Sequence, residues 1–162
     1  MGKKMSIESV KEVLTAQGFG DRIYEFDVSS ATVALAAEAL GCEEARIAKT
    51  LAFVADGAPV LVVTAGDTKA DNRKFKDTFH TKAVMIPREE TERMTGHAAG
   101  GCCPFALKEG VKVYLDVSLK RFDTVYPACG SSNSAVRLTP AELERLAAPL
   151  GWVDVCKPVS GC

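Results

Sequence analysis

The sequence lacks the standard signatures of several enzyme classes. It contains no GxxxxGKS/T phosphate-binding loop, no GxSxG nucleophile turn and no HExxH zinc motif. Its two histidines, His80 and His97, stand at no metal-ligand spacing from the cysteines. The sequence therefore predicts no metal site and no resident cofactor.

An excess of charge of either sign is also missing. Twenty Lys and Arg residues oppose 21 Asp and Glu residues, which leaves a formal charge of −1. This balance argues against a protein that coats long nucleic acids by neutralising phosphates, although it permits a local basic patch. Lys69, Arg73 and Lys76 are predicted on one side of a short helix, where they form such a patch or an ordinary solvated face.

Long apolar runs and dense cysteines are absent as well. No stretch approaches the roughly 20 apolar residues that span a bilayer, so we expect no membrane partner. Six cysteines in 162 residues are too sparse for a disulfide scaffold, and a bond between the adjacent Cys102 and Cys103 would be strained. We predict a cytoplasmic protein with reduced thiols.

The patterns that are present predict a globular domain with both helices and strands. Hydrophobic residues make up 47% of the chain and charged residues 25%, which is typical of folded proteins. Helical spacing or capping signals predict helices over 7–18, 31–40, 71–79, 87–96 and 139–148. Apolar runs and alternation predict strands over 23–28, 49–55, 59–65, 82–86, 111–117, 123–128 and 134–138. We therefore expect an α+β fold in which residues 1–162 form a single domain, with a mixed, largely antiparallel β-sheet flanked by helices.

Local signals sharpen three of these elements. Asp56-Gly57 between two apolar runs predicts a β-hairpin, and the continuous second run predicts a strand covered on both faces. Ser29 or Ser30 is expected to cap the second helix. Thr139 and Glu142 form the pattern of a capping box at the start of the last helix.

Three segments stand out as candidate sites. Lys49 lies at the start of an apolar strand, where it is either a solvated side chain with a buried stem or an ammonium group held for a phosphate or carboxylate. The glycines of the Gly100–Pro104 loop let a backbone approach a ligand, and they also suit an ordinary tight loop. Gly130–Ser134 clusters hydroxyl groups, a composition that is also common in turns.

Taken in order, five short motifs resemble the YbaK/EbsC family, the trans-acting aminoacyl-tRNA deacylases related to the editing insertion of bacterial prolyl-tRNA synthetase. The resemblance covers most of the chain, from about Ile7 to Leu146, and each motif is weak by itself, whereas their order and spacing together are fairly specific. They are Tyr24-Glu25-Phe26-Asp27, Ile47-Ala48-Lys49-Thr50-Leu51, Thr95-Gly96-His97, Gly100-Gly101-Cys102-Cys103-Pro104 and Asp123-Thr124-Val125-Tyr126-Pro127-Ala128-Cys129-Gly130.

The resemblance implies hydrolysis of the ester that joins a wrong amino acid to the 3′ end of a tRNA, without a metal. It implies that Lys49 holds a backbone phosphate near the terminal adenosine, and that the loop containing Gly100 and Gly101 orients the ester. The partners it implies are the aminoacylated tRNA 3′ end and, as an open alternative, an aminoacyl-tRNA synthetase. The substrate-binding residues that we carry over from it are Tyr24, Thr50, His97, Cys102, Cys103, Pro104, Gly130 and Ser131.

Two positions depart from the pattern of members that act on cysteinyl-tRNA. Those members carry an Asp in the last strand and a Ser before the preceding glycine pair, where this chain has Ala135 and Ala128, although Tyr24 matches them. The expected substrate is therefore a tRNA charged with a small amino acid of unspecified identity. Two alternatives stay open, namely a non-catalytic module that binds tRNA or a synthetase, and a thiol-dependent enzyme that uses Cys102 or Cys103.

Overall fold

A computed structural model describes residues 6–159 of the chain, with the side chain of Ser6 left aside. Within this range the helical part comprises five α-helices and four short 3-10 segments. The α-helices are α1 (Ser6–Ala16), α2 (Val33–Leu40), α3 (Asn72–Phe79), α4 (Thr91–Thr95) and α5 (Pro140–Ala147). The 3-10 segments are Gly20–Arg22, Glu44–Arg46, Arg88–Glu90 and Val117–Arg121.

The described residues contain ten strands, most of them short. They are β1 (Ile23–Glu25), β2 (Ile47–Ala55), β3 (Ala58–Ala65), β4 (Thr68–Ala70), β5 (Val84–Met85), β6 (Lys112–Asp116), β7 (Tyr126–Pro127), β8 (Ser134–Val136), β9 (Gly151–Val153) and β10 (Cys156–Pro158). The central sheet has the order β5-β2-β3-β6-β9, and β7 pairs with β2 beside β5. The pairs β1-β8 and β10-β4 form two further antiparallel ladders.

The predicted α+β fold with a mixed sheet is confirmed. β2 pairs antiparallel with β3 over eight residue pairs and with β5 over two. β6 runs parallel to both β3 and β9, and β7 runs parallel to β2. That residues 1–162 form one domain stays a prediction, since the outermost residues lie outside the described range.

The hairpin between β2 and β3 provides the rigid base of the molecule. Asp56 and Gly57 both have positive φ, at 52° and 78°, as a two-residue hairpin turn requires. The continuous apolar run of β3 is buried on both faces, as predicted. Leu61 packs into one hydrophobic cluster, whereas Val60 and Val62 belong to another.

The ends of two helices are fixed by side chains. Thr139 accepts a hydrogen bond from the Glu142 amide at 3.1 Å, and the Glu142 carboxylate accepts one from the Thr139 amide at 2.9 Å, which confirms the capping box. The prediction that Ser29 or Ser30 caps α2 is wrong. Thr32 is the cap and accepts from the Leu35 amide at 3.2 Å, because α2 begins two residues later than the pattern indicated.

Several predicted strands are shorter than expected. Of the predicted strand 82–86, only Val84–Met85 forms a strand, and of 123–128 only Tyr126–Pro127 does. Residues 23–28 pair with β8 over only three positions. The predicted helix over 87–96 is split into a 3-10 turn at Arg88–Glu90 and the short α4. These lengths depend on long-range pairing, which local alternation does not report.

Three strands were missed from the sequence: β4, β9 and β10. β9 lies beside β6 at the end of the central sheet, and β10 pairs with β4, so the chain continues past α5 rather than ending on that helix. No helix within residues 6–159 has both the length and the apolar character to cross a bilayer.

Candidate functional site

The central sheet is interrupted along the outer edge of β2. β7 pairs with Ile47 and Ala48 on this edge, and β5 pairs with Phe53 and Val54. Among the described residues, no strand covers Lys49–Leu51 between them. A cavity of about 230 Å³ lies against this gap. Interruption of the pairing therefore places the cavity beside the middle of the longest strand.

The cavity wall is built mainly from small and apolar residues of five parts of the chain. It is lined by Ser30, Ala31, Thr32, Val33, Ala36, Ile47, Ala48, Lys49, Thr50, Leu51, Gly100, Cys102, Tyr126, Ala128, Ser134 and Ala135. Lys49 is the one charged side chain among these lining residues. A pocket with a single ammonium group and no carboxylate favours an anionic ligand that carries a small uncharged part.

Lys49 is half-buried and extends from β2 toward the first residue of β4. Its Nζ donates a hydrogen bond to the carbonyl oxygen of Thr68. Burial lowers the pKa of Lys49, whereas the nearby Cys156 and Asp67 act in the opposite direction. A partly desolvated ammonium with one neutral acceptor gains from an anion, because the anion supplies the compensating charge that burial has taken away.

Thr50 contributes an unpartnered hydroxyl group to the same wall. Its Oγ1 is buried and has no hydrogen-bond partner among the described residues. A buried hydroxyl without a partner costs roughly 1–3 kcal/mol of desolvation. Because the hydroxyl oxygen itself is inaccessible to solvent, a ligand in the cavity would reach it and remove this penalty only after a local shift of the side chain.

The Gly100–Pro104 loop presents alternate residues to the cavity. Gly100 and Cys102 line it, and Gly100 has a φ of 93°, a conformation that glycine adopts without strain. Gly101 lies behind the wall, where an added Cβ would approach the Ser131 amide nitrogen to 2.7 Å. Glycine at 101 therefore permits the close packing of this loop against the 130–131 turn.

The backbone amides of the Gly100–Pro104 loop differ in their hydrogen bonding. The Gly101 N–H already donates to the carbonyl oxygen of Ala98 at 3.1 Å. Within residues 6–159 no such bond is recorded for the Cys102 amide, which belongs to the cavity lining. The Cys102 amide is therefore free to donate to a ligand, and the role of this loop in orienting the ester stays a prediction.

Three other predicted site residues are packed away from the cavity. His97 is fully buried, and its Nε2 donates to the carbonyl oxygen of Phe105 at 2.6 Å, which fixes the tautomer with the proton on Nε2. Cys103 is fully buried with its Sγ 3.5 Å from that same nitrogen. Pro104 faces a different groove, on the side of α5. Their positions indicate a structural role within the loop.

Tyr24 lies beside the cavity rather than in its wall. Tyr24 pairs with Ala135 across the β1-β8 ladder. Two residues that lie directly opposite each other on paired strands point to the same face of the sheet. The Tyr24 ring is 37% exposed and stacks parallel to Phe26. Burial raises the pKa of Tyr126, which lines the cavity, and the nearby Cys42 and Tyr24 add to this rise. Tyr24 is therefore a residue of the cavity mouth.

The predicted residues Gly130 and Ser131 support the wall from behind. The Ser131 hydroxyl donates to Ser134 Oγ at 2.7 Å and lies 2.9 Å from Asn133 Oδ1. Ser134 and the adjacent Ala135 are the residues that face the cavity. The turn thus contributes to the site through the strand that follows it.

The sequence missed the N-terminal end of α2 as part of the site. Ser30, Thr32 and Ala36 line the cavity because the chain crosses from β1 over the open edge of β2 into this helix. The Ser30 amide donates a hydrogen bond to the Ser132 carbonyl oxygen at 2.6 Å, which connects the segment to the 131–134 turn. A run of small residues before a helix was the available signal, but it is common at ordinary helix starts.

Both positions that depart from the cysteinyl-tRNA pattern lie in the cavity wall. Ala128 and Ala135 line it, so these two positions present methyl groups rather than the hydroxyl and carboxylate that the resemblance led us to compare. No group of three or more His, Cys, Asp or Glu residues in the described part of the chain is arranged to hold a metal ion. The polar groups of the cavity are thus Lys49, a few hydroxyls, one thiol and the backbone.

The fold and the cavity define an α+β domain with a small cavity at an interrupted sheet edge. A family model described as an aminoacyl-tRNA editing domain matches residues 28–146, which includes every segment that lines the cavity. The chain belongs to this family, within the YbaK/EbsC group that the sequence motifs indicated.

Individual relatives agree with this assignment. The chain is 51% identical over 154 residues to the uncharacterized protein YwhH of Bacillus subtilis (strain 168), covering 94% of this chain and 98% of the relative. It is 31% identical over 106 residues to EbsC of Enterococcus faecalis, a proposed Cys-tRNA(Pro)/Cys-tRNA(Cys) deacylase, covering 64% and 65% of the two chains.

A solved structure extends the likeness to the whole fold. It is described as a proposed trans-editing enzyme for prolyl-tRNA synthetase, and it has 29% sequence identity to this chain and a TM-score of 0.84. The match covers 96% of this chain and 99% of the other. The architecture around the cavity is therefore that of the editing domains.

Proposed function

We propose that the protein hydrolyses the ester bond of a tRNA mischarged with a small amino acid, without a metal. The observation that carries the proposal is that Lys49, Thr50, Gly100 and Cys102 line one cavity of about 230 Å³. Membership of the editing-domain family supports the reaction class. The cavity volume and its alanine-rich wall support a small aminoacyl group.

Lys49 is proposed to bind a phosphate near the terminal adenosine. Its ammonium group is the one charge in the lining, and burial makes an anionic partner more favourable than it would be at an exposed surface. A bound phosphate would fix the position of the 3′ nucleotide, and the aminoacyl ester would follow into the cavity.

Hydrolysis would then depend on placement and on stabilisation of the developing oxyanion. An aminoacyl ester is already activated, so a positioned water and one or two hydrogen-bond donors suffice in principle. The Cys102 amide and the Thr50 hydroxyl are the donors we assign to this task, since both belong to the cavity wall. The substrate's own amino and hydroxyl groups are close enough to its ester to orient the water.

The burial of the thiols argues against the thiol-dependent alternative. Burial raises the pKa of the Cys102 thiol to about 11 and that of Cys103 well above its ordinary value. The reactive form of cysteine is the thiolate, which such groups do not populate near neutral pH. We therefore assign Cys102 a lining role and Cys103 a packing role.

Selectivity is proposed to come from the size of the cavity. One methylene group is worth roughly 1–3 kcal/mol in a pocket that excludes it. Ala128 and Ala135 offer no carboxylate or hydroxyl to a substrate side chain, which favours an aminoacyl group without a strong polar end. A synthetase that supplies further tRNA affinity remains part of the proposal, by analogy with the solved trans-editing relative.

The proposal is tested with a panel of tRNAs, each charged with one small amino acid, and release of the amino acid under single-turnover conditions. We expect faster release from at least one of them, and no acceleration when Lys49→Ala replaces the wild type. Wild-type protein that binds the tRNAs but releases no amino acid above background would favour the non-catalytic binding module. The observation that favours the non-catalytic binding module is the absence of polar side chains at Ala128 and Ala135.

A further inference from the structure

A basic groove lies outside the cavity, between α3 and the segment that leads into β5. Asn72, Arg73, Lys76, Lys82 and Ala83 line it, around a volume of about 440 Å³. No carboxylate belongs to this lining. Three cations therefore share one concave surface in a protein whose formal charge is −1.

These cations are not used in ion pairs. Within residues 6–159 the structure records no salt bridge for Arg73, Lys76 or Lys82, and all three are exposed. The neighbouring Lys74 differs, because its Nζ lies 3.0 Å from Asp154 Oδ1. Like charges that converge without counter-ions repel one another, so an anionic partner would relieve the repulsion.

The basic surface continues at the N-terminal end of α3. Lys69 in β4 lies directly opposite Lys157 in β10, and facing like charges destabilise a strand pair. The prediction that Lys69 shares a helix with Arg73 and Lys76 is wrong, because Lys69 belongs to β4. The start of α3 nevertheless adjoins the β4-β10 ladder, since the Asp71 amide of the α3 cap donates to the carbonyl oxygen of Val155, next to β10.

The groove lies along the same strand edge as the cavity. α3 packs on β2 through Phe75, whose ring centroid is 4.6 Å from that of Phe53. Phe53 is four residues along β2 from Lys49, on the same face, which corresponds to about 13 Å. β5, which follows Lys82, pairs with Phe53 on the edge that the cavity interrupts. An RNA strand that is bound at Lys49 and follows the edge of β2 toward Phe53 would reach the groove.

From this arrangement we propose that the groove formed by Arg73, Lys76 and Lys82 binds the phosphate backbone of the tRNA acceptor stem. The inference rests on the proposed function, which places the 3′ end of the same molecule at Lys49. Cations on a short helix and loop contact phosphates of a duplex without reading its bases. The groove thus adds affinity for any tRNA and leaves discrimination to the cavity.

The test compares two triple variants that change the net charge equally. Arg73→Gln, Lys76→Gln and Lys82→Gln remove the groove cations, whereas Lys108→Gln, Lys112→Gln and Lys120→Gln remove exposed lysines elsewhere. The first readout is fluorescence anisotropy of uncharged tRNA over a range of salt concentrations. The second is single-turnover deacylation of aminoacylated tRNA and of an aminoacylated CCA trinucleotide, which lacks the stem.

We expect the groove variant to bind uncharged tRNA about tenfold more weakly at low salt, with a log–log salt slope reduced by about 2–3. The groove variant should deacylate the trinucleotide at the wild-type rate. The control variant should match the wild type in every assay. Equal binding and equal salt slopes for the two variants would overturn the proposal. If the wild type deacylates nothing, the proposed function fails, while the anisotropy comparison still decides the role of the groove.

Discussion

The cavity wall and the interior of the adjoining loop contain different kinds of polar groups. In the wall, Lys49 has one neutral acceptor and the Thr50 hydroxyl has none among the described residues. In the loop interior, His97 bonds Phe105 at 2.6 Å and Cys103 is fully buried beside it. The residue types that usually signal catalysis are thus packed inside, where His97 Nδ1 also lacks a hydrogen-bond partner among the described residues, whereas the cavity lining contains the charged side chain of Lys49.

This difference shows why the site lacks a recognisable triad or metal motif. A buried imidazole with a lowered pKa, caused chiefly by desolvation, stays neutral and holds the loop together. The cavity in turn offers position, one charge and hydrogen-bond donors. Each of the following experiments separates the two regions.

Apart from loss of Lys49 itself, the largest effect is expected from filling the cavity. Ala36 lines it from α2, whereas Ala34 is exposed on the same helix. Ala36→Leu should lower kcat/KM for deacylation on the order of 100-fold, or about 2.7 kcal/mol, because the added atoms occupy the space of the aminoacyl group. Ala34→Leu is the matched control and should retain activity, with thermal melting used to check that both variants fold. Equal activity of the two variants would show that the cavity is not the substrate site.

His97→Ala should affect stability more than chemistry. It removes a fully buried side chain and the hydrogen bond to Phe105, at a cost of roughly 2–4 kcal/mol in the free energy of unfolding. Urea denaturation measures the change. Activity per folded molecule should stay within a few-fold of the wild type at low temperature, and a complete loss of activity in the folded variant would make His97 a functional residue.

Thr50→Val tests the unpartnered hydroxyl through its effects on stability and on deacylation. The isosteric change removes a buried polar group without a partner, so the free energy of unfolding should stay equal or rise by about 1 kcal/mol. Deacylation should fall about tenfold if Thr50 orients the ester or the water. Thr50→Ser keeps the hydroxyl and should retain most of the activity. A less stable Thr50→Val protein would mean that the hydroxyl has a partner in the fold.

The smallest effect is expected from Cys102. Cys102 lines the cavity, but burial raises the pKa of its thiol to about 11, which disfavours the reactive thiolate near neutral pH. Cys102→Ser should change single-turnover deacylation less than about threefold. A loss of several orders of magnitude would restore the thiol-dependent alternative.

The fold could be predicted from the sequence where local signals agree with the final structure. The Asp56-Gly57 turn and the Thr139 capping box are specified within a few residues, and both are confirmed. The two-residue strands β5 and β7 could not be predicted in length, since their extent depends on pairing with the distant β2. Yet it is these short strands that leave the edge of β2 open and create the cavity.

The candidate site was predicted in its main cation and loop but not in its details. Lys49, Thr50, Gly100 and Cys102 share one cavity, although family resemblance rather than residue chemistry pointed to them. The sequence gives no indication that neighbours in a glycine-rich loop face opposite ways. It therefore could not separate Cys102, in the wall, from Cys103, in the core.

The most direct test of the central claim is single-turnover deacylation by Lys49→Ala and Lys49→Arg beside the wild type, using the tRNA that the wild type deacylates best. The account predicts a loss of at least about 100-fold for the alanine variant and a partial recovery for arginine, which keeps the charge that a phosphate requires. Melting temperatures should confirm that both variants fold. Wild-type rates in a folded Lys49→Ala protein would contradict the account.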